Sequence, residues 1–95
     1  MQFRYNYDED TGLPHIYGHG VNEEEVEFVL RSPGLDARGS GDSRIKVGQS
    51  AAGRYLKVIY VPDPEPGSVF VITAYEIRGR AKKAFRRRQR RRSHE

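Results

Sequence analysis

Three β-prone runs follow one another over residues 44–77, with only turn-forming residues between them. Residues 44–50 alternate around Ile45 and Val47, residues 54–62 carry Tyr55-Leu56-Lys57-Val58-Ile59-Tyr60-Val61, and residues 68–77 carry Val69-Phe70-Val71-Ile72-Thr73-Ala74-Tyr75. Alternation of apolar and polar residues is the pattern of a strand with one buried face. The connections Ser50-Ala51-Ala52-Gly53 and Asp63-Pro64-Glu65-Pro66-Gly67 are tight, with Gly53 available for a positive φ. An antiparallel meander is therefore expected. A short aromatic strand over residues 3–7 brings the count to about four.

Two helices complete the expected architecture. Asn22 is a favoured N-cap, Glu25 stands three residues on as in a capping box, and Glu23 and Glu24 complement the helix dipole. Val26, Val29 and Leu30 form an i, i+3, i+4 stripe, and Pro33-Gly34 ends the element, predicting a helix over residues 23–32. Residues 34–43 hold three glycines and read as a mobile loop with a brief extended stretch near Leu35-Asp36. From Gly79 the composition is helical, and Ala81, Ala84 and Phe85 make a stripe that can dock on the sheet. After Phe85 no apolar residue remains, so this helix is expected to leave the body and fray near Arg90. The expectation is one α+β domain over residues 1–85, with 86–95 a basic extension, partly helical or disordered.

Ninety-five residues bury one modest core and leave no room for a separate cofactor domain, so no cofactor is expected. The absence of cysteine excludes disulfides, thiolate metal sites and a cysteine nucleophile, and points to a reducing cytoplasm. No apolar run approaches a membrane span of about 20 residues, so no membrane partner is expected. Charge is divided unevenly. Residues 1–77 carry seven Lys/Arg against twelve Asp/Glu, a net of −5, whereas residues 78–95 carry ten against Glu95 alone, a net of +9. Such asymmetry signals a polyanion or an acidic partner rather than a fold. A solvated charged terminus is the bland alternative.

If Tyr55 and Lys57 share a face with Thr73 and Tyr75 of the next strand, they form a polar-aromatic patch near Arg44 and Lys46, suited to stacking bases and holding phosphates. Partly buried sheet aromatics with cations at the rim are the alternative. His15 and His19, four apart, suggest a metal only if their segment is helical, and Pro14, Gly18 and Gly20 argue against that, so no metal is expected. His19 alone, just before a helix N-terminus, is a candidate general acid/base, or else a histidine bonding its own loop. Gly39-Ser40-Gly41-Asp42-Ser43 lacks the Gly-Lys-Ser/Thr ending of a P-loop, and Glu23-Glu24-Glu25-Glu27 are helix-start residues.

The order of landmarks is similar to that of a known family. His19-Gly20-Val21 precedes a helix with Glu24-Glu25, a basic strand ends in Gly48, and Gly53-Arg54-Tyr55-Leu56-Lys57-Val58-Ile59, the strand ending Thr73-Ala74-Tyr75 and a basic helix follow. The chain resembles the BrnT family of toxins, over most of its length though through short motifs. The resemblance implies a RelE-like fold, metal-independent ribonuclease activity on RNA, and a cognate antitoxin of the BrnA kind bound in a hetero-oligomer, with a homodimer as the alternative. It places catalysis on His19, Arg54 and the strand end, where Tyr75 stands for the family's arginine and Arg78 or Arg80 is expected to take over its charge. Arg44, Lys46, Tyr55, Lys57, Lys82, Lys83, Arg86 and Arg87 are the expected RNA contacts. A rival reading is a non-catalytic nucleic-acid-binding module, or an interaction protein, that uses the arginine-rich arm.

Overall fold

The computed structural model describes residues 1–93. The molecule is α+β: one five-stranded sheet with a helix on each face. The strands are β1 (Gln2–Tyr5), β2 (Leu35–Arg38), β3 (Arg44–Gln49), β4 (Tyr55–Pro62) and β5 (Ser68–Glu76), in the spatial order β1-β5-β4-β3-β2. The expected meander is present as β3-β4-β5, and Gly53 turns the β3–β4 connection at φ 93°.

Two features correct the sequence reading. The count is five rather than about four, because Leu35–Arg38 leaves the glycine-rich segment and pairs along all of its length with residues 44–47 of β3. The sheet is mixed rather than antiparallel, because β1 lies parallel to β5, Phe3 opposite Val69 and Tyr5 opposite Val71. Neither pairing is a local property of its strand. Both depend on which edge of the finished meander is free.

The first face of the sheet carries α1 (Glu23–Arg31). Its capping box is complete: the Asn22 side chain accepts from the Glu25 amide at 2.9 Å, and the Glu25 carboxylate accepts from the Asn22 amide. Such a cap contributes about 1 kcal/mol. Val26 and Val29 are fully buried against Leu56, Val58, Val71 and Ala74, together with Ile16 and Val21 from the segment before the helix. The helix approaches β3 closely: a Cβ on Gly48 would stand 3.1 Å from Cγ1 of Val29. A larger residue there would push α1 off the sheet.

The opposite face carries α2 (Gly79–Ser93). Phe85 is buried there and meets the Tyr55 ring edge-on, with centroids 5.7 Å apart. Phe85 is also the last buried side chain among those described. The helix itself does not fray at Arg90; it continues to Ser93. Residues 94–95 of the expected extension lie outside the described residues. No helix among the described residues is long and apolar enough to cross a membrane.

Candidate active site and basic helix

A β-bulge decides which residues the sheet presents. Ile59 pairs with Thr73, yet Tyr60 pairs with Val71, leaving Ile72 as the extra residue on β5. Simple alternation puts Val71 and Tyr75 on one face. The bulge reverses the phase between them, so Val71 is buried under α1 while Tyr75 faces the other way, paired with Lys57. The Lys57 ammonium lies 5.9 Å from the Tyr75 ring centroid, within cation–π range.

The expected grouping of Tyr55, Lys57, Thr73 and Tyr75 on one face is thus present. Arg44 and Lys46 do not join it. Lys46 pairs with Val58 and Arg44 with Tyr60, which puts both on the α1 face. Lys46 is only 8% exposed and donates to the carbonyls of Leu30 and Ser32 at the C-terminal end of α1. It satisfies orphan carbonyls there and meets the negative end of the helix dipole. Burial lowers its pKa. Arg44 is bound to Asp36 at 2.9 Å, and Asp36 also accepts from the Tyr60 hydroxyl at 2.6 Å. Burial, with that bond second, pushes Tyr60 up to about 12. Both cations, expected as RNA contacts, thus lie apart from the Tyr55-Lys57-Thr73-Tyr75 face, Lys46 engaged by the end of α1 and Arg44 by Asp36.

His19 reaches the patch from the side. It ends a 3₁₀ turn, His15–His19, that runs beside the far end of β5, beyond the last residue paired with β1. Pro14, Gly18 and Gly20 argue against an α-helix over residues 15–19, and the segment makes a single 3₁₀ turn instead. The loop before this turn is tied: Tyr7 bridges Pro14, Asp8 donates its amide to Leu13 and accepts from Gly12, and the His15 amide donates to Asn6. The exposed His19 ring lies 5.9 Å from the Tyr75 ring and 5.2 Å, edge to face, from the His15 ring. The His15 Nδ1 lies 2.8 Å from the Asp8 carboxylate.

Arg54 sits one layer behind. Its guanidinium donates to both Glu25 carboxylate oxygens at 2.9 and 3.0 Å, to the Gly20 carbonyl at 3.0 Å and to Glu76 at 3.4 Å. One side chain thereby ties the start of α1, the residue after His19 and the end of β5. Glu76 also accepts from Arg78 at 3.1 Å. The hydrogen bond from Arg78, its charge and that of Arg54 hold the Glu76 carboxyl below the usual carboxylate range, against a smaller opposing effect of burial. A depressed folded-state value means stability that is present above the ordinary carboxylate pKa and lost as pH falls through the lowered one. Between pH 7 and pH 3, wild type is therefore expected to lose more stability than Glu76→Gln, read as the difference between their denaturation midpoints. Equal losses would show that this cluster contributes nothing to acid sensitivity.

On α2 the cations divide by face. Lys82 is half-buried with its ammonium 5.2 Å from the Tyr55 ring centroid. Lys83, Arg86, Arg87 and Arg90 recur at i, i+3, i+4 and i+7, line one shallow concavity and are all exposed. Arg90 was not among the expected contacts, although its spacing from Lys83 places it on that stripe. Arg78 and Arg80 are exposed at the base of the helix. Among the described residues, no group of three His, Cys, Asp or Glu side chains is placed to hold a metal ion.

Fold and site together define a small α+β protein with a histidine-tyrosine-lysine cluster at one sheet end and a basic helix beside it. Comparison with protein-family models, with curated proteins and with solved structures found no match to this chain.

Proposed function

We propose that the chain is a metal-independent endoribonuclease, the toxin of a bacterial toxin–antitoxin pair akin to the BrnT family, acting on RNA in the cytoplasm. The observation that carries this reading is the meeting of His19, Tyr75 and Lys57 at the end of β5, close to the base of a strongly basic helix. In metal-free RNA cleavage the ribose 2′-oxygen attacks the adjacent phosphorus and the 5′-oxygen leaves. The site must accept one proton, donate another and offset the developing phosphorane charge. His19 and Tyr75 are the candidates for moving protons. Lys57, Arg78 and Arg80 supply positive charge, and Tyr55, Lys82, Lys83, Arg86 and Arg87 extend the contact surface. Arg54, already bonded to two carboxylates, serves by holding His19-Gly20 and the strand end in place. A five-stranded sheet between two helices is compatible with the RelE-like fold that the resemblance implies. The same basic helix suits an acidic antitoxin of the BrnA kind.

The second reading, a non-catalytic nucleic-acid-binding module, draws on that Arg54 geometry, because a guanidinium shared between Glu25 and Glu76 carries little free charge to a phosphate. The two readings separate in one pair of measurements. Purified protein is incubated with total RNA in chelator, and growth is followed after induced expression. The ribonuclease reading expects RNA degradation and growth arrest, both lost in His19→Ala through a fall in rate of about 10²–10⁴-fold. RNA that stays intact at every salt concentration while still being bound, with binding abolished by deletion of residues 86–95, establishes the binding module instead.

A further inference from the structure

The ribonuclease reading leaves Asp8 and His15 without a role, yet the fold goes to some length to place them. The glycine-rich loop is closed by the Tyr7–Pro14 bridge, by Asp8 accepting from Gly12 at 2.8 Å and donating to Leu13 at 2.9 Å, and by Thr11 accepting from the Leu13 amide. That closure sets the Asp8 carboxylate 2.8 Å from His15 Nδ1. A carboxylate on Nδ1 fixes the proton there and turns Nε2 outward as a lone-pair acceptor, the orienting role of the aspartate in a catalytic triad. The His15 side chain remains 37% exposed, so its outer edge is open to a substrate. His19, 5.2 Å away between ring centroids, is exposed.

Cleavage by 2′-oxygen attack needs two proton-transfer groups close together, and a neutral imidazole beside a protonated one meets that need near neutral pH. We propose that His15 and His19 are the general base and general acid of this site, with Asp8 as the positioning residue, a proposal that rests on the ribonuclease reading above. His15 Nε2 takes the 2′-hydroxyl proton as the O2′–P bond forms. The P–O5′ bond breaks, and His19 gives its proton to the departing 5′-oxygen. The products are a 2′,3′-cyclic phosphate and a 5′-hydroxyl, and solvent exchange returns both rings to their starting protonation. Tyr75, 5.9 Å from His19 with Lys57 over its ring, is then a stacking surface for a base flanking the cut rather than a proton carrier.

The test uses the full chain and an RNA oligonucleotide that wild type cleaves, made in two forms. One has the natural 5′-oxygen at the cut site. The other has a 5′-bridging sulfur, a leaving group that departs without a proton. On the natural oligonucleotide, His15→Ala and His19→Ala are each expected to lose about 10²–10⁴-fold in kcat. On the sulfur substrate, His19→Ala returns to near the wild-type rate and His15→Ala does not. Asp8→Asn lowers kcat by about 10-fold or more, leaves KM unchanged and is not rescued by sulfur. His15→Gln, with a far-ultraviolet spectrum matching wild type, repeats the His15→Ala loss and separates chemistry from misfolding. Wild-type rates in both His15 variants, or sulfur rescue of His15→Ala, overturn the proposal while the ribonuclease reading stands. Failure of wild type to cleave any RNA removes the ribonuclease reading, and this proposal with it.

Discussion

Replacing Lys83, Arg86, Arg87 and Arg90 together by glutamine is expected to weaken RNA binding by about two orders of magnitude near 0.15 M salt. The four side chains form one exposed stripe on α2, and each can neutralise one phosphate. On a single strand each such contact contributes about −0.7 to the slope of log K against log salt, so the slope should become shallower by about 3. Anisotropy titrations of a labelled RNA between 50 and 300 mM salt, over which the Debye length falls by about half, read both numbers at once. An unchanged slope would mean that the polyanion binds elsewhere. Lys82 is left in place because its ammonium lies over Tyr55 and is half-buried, so changing it would disturb how α2 docks as well as the charge. The stripe carries no hydrogen-bonding pattern matched to a base, and it is expected to supply affinity without sequence preference.

Leu56→Ala is expected to destabilise the protein by about 2–5 kcal/mol, a large share of the roughly 5–15 kcal/mol that holds a domain of this kind together. Leu56 lies on the second strand in from neither edge but at the middle of the sheet, has no exposed surface, and packs in the cluster that α1 closes through Val26 and Val29. The midpoint of thermal unfolding should fall by about 10–25 °C. Urea unfolding should show a lower midpoint with an unchanged slope, since the surface exposed on unfolding hardly differs. The neighbouring Lys57→Ala provides the contrast: it points to the other face and should shift stability by less than about 1 kcal/mol while affecting the Tyr75 site. Similar losses from the two substitutions would mean that the faces of β4 have been assigned the wrong way round.

Much of the framework was legible in the residues. The three strands after Arg44 and the helix with its Asn22–Glu25 box are local patterns: alternation, turn residues and caps act over a few neighbours, so they survive into the fold with ends shifted by a residue or two. Leu35–Arg38 was only partly legible, because a four-residue strand flanked by glycines has no internal signal and exists by pairing with β3. The candidate site divides in the same way. Tyr55, Lys57 and Tyr75 share a face as alternation suggests, but only because the extra residue Ile72 corrects a phase that would otherwise have put Tyr75 with Val71. Lys46 could not be told from Lys57 by residue type. The difference between them is the pair of α1 carbonyls that happens to lie above Lys46.

The sequence by itself determined the α+β class, the order of the main elements and the separation of an acidic body from a basic helix, because these follow from short-range periodicity, capping and charge counting. The tertiary structure alone decided which cations are engaged within the fold. Arg44 meets Asp36, Lys46 meets the end of α1, and Arg54 braces Glu25, Gly20 and Glu76. It also brought Asp8, His15, His19 and Tyr75 into one line of contacts, joining residues up to 67 positions apart. The reason is physical. Whether a charged side chain is a ligand-binding group or an internal strut depends on what lies within about 3 Å of its polar atoms, and that is set by strand register and helix placement rather than by the side chain's own chemistry.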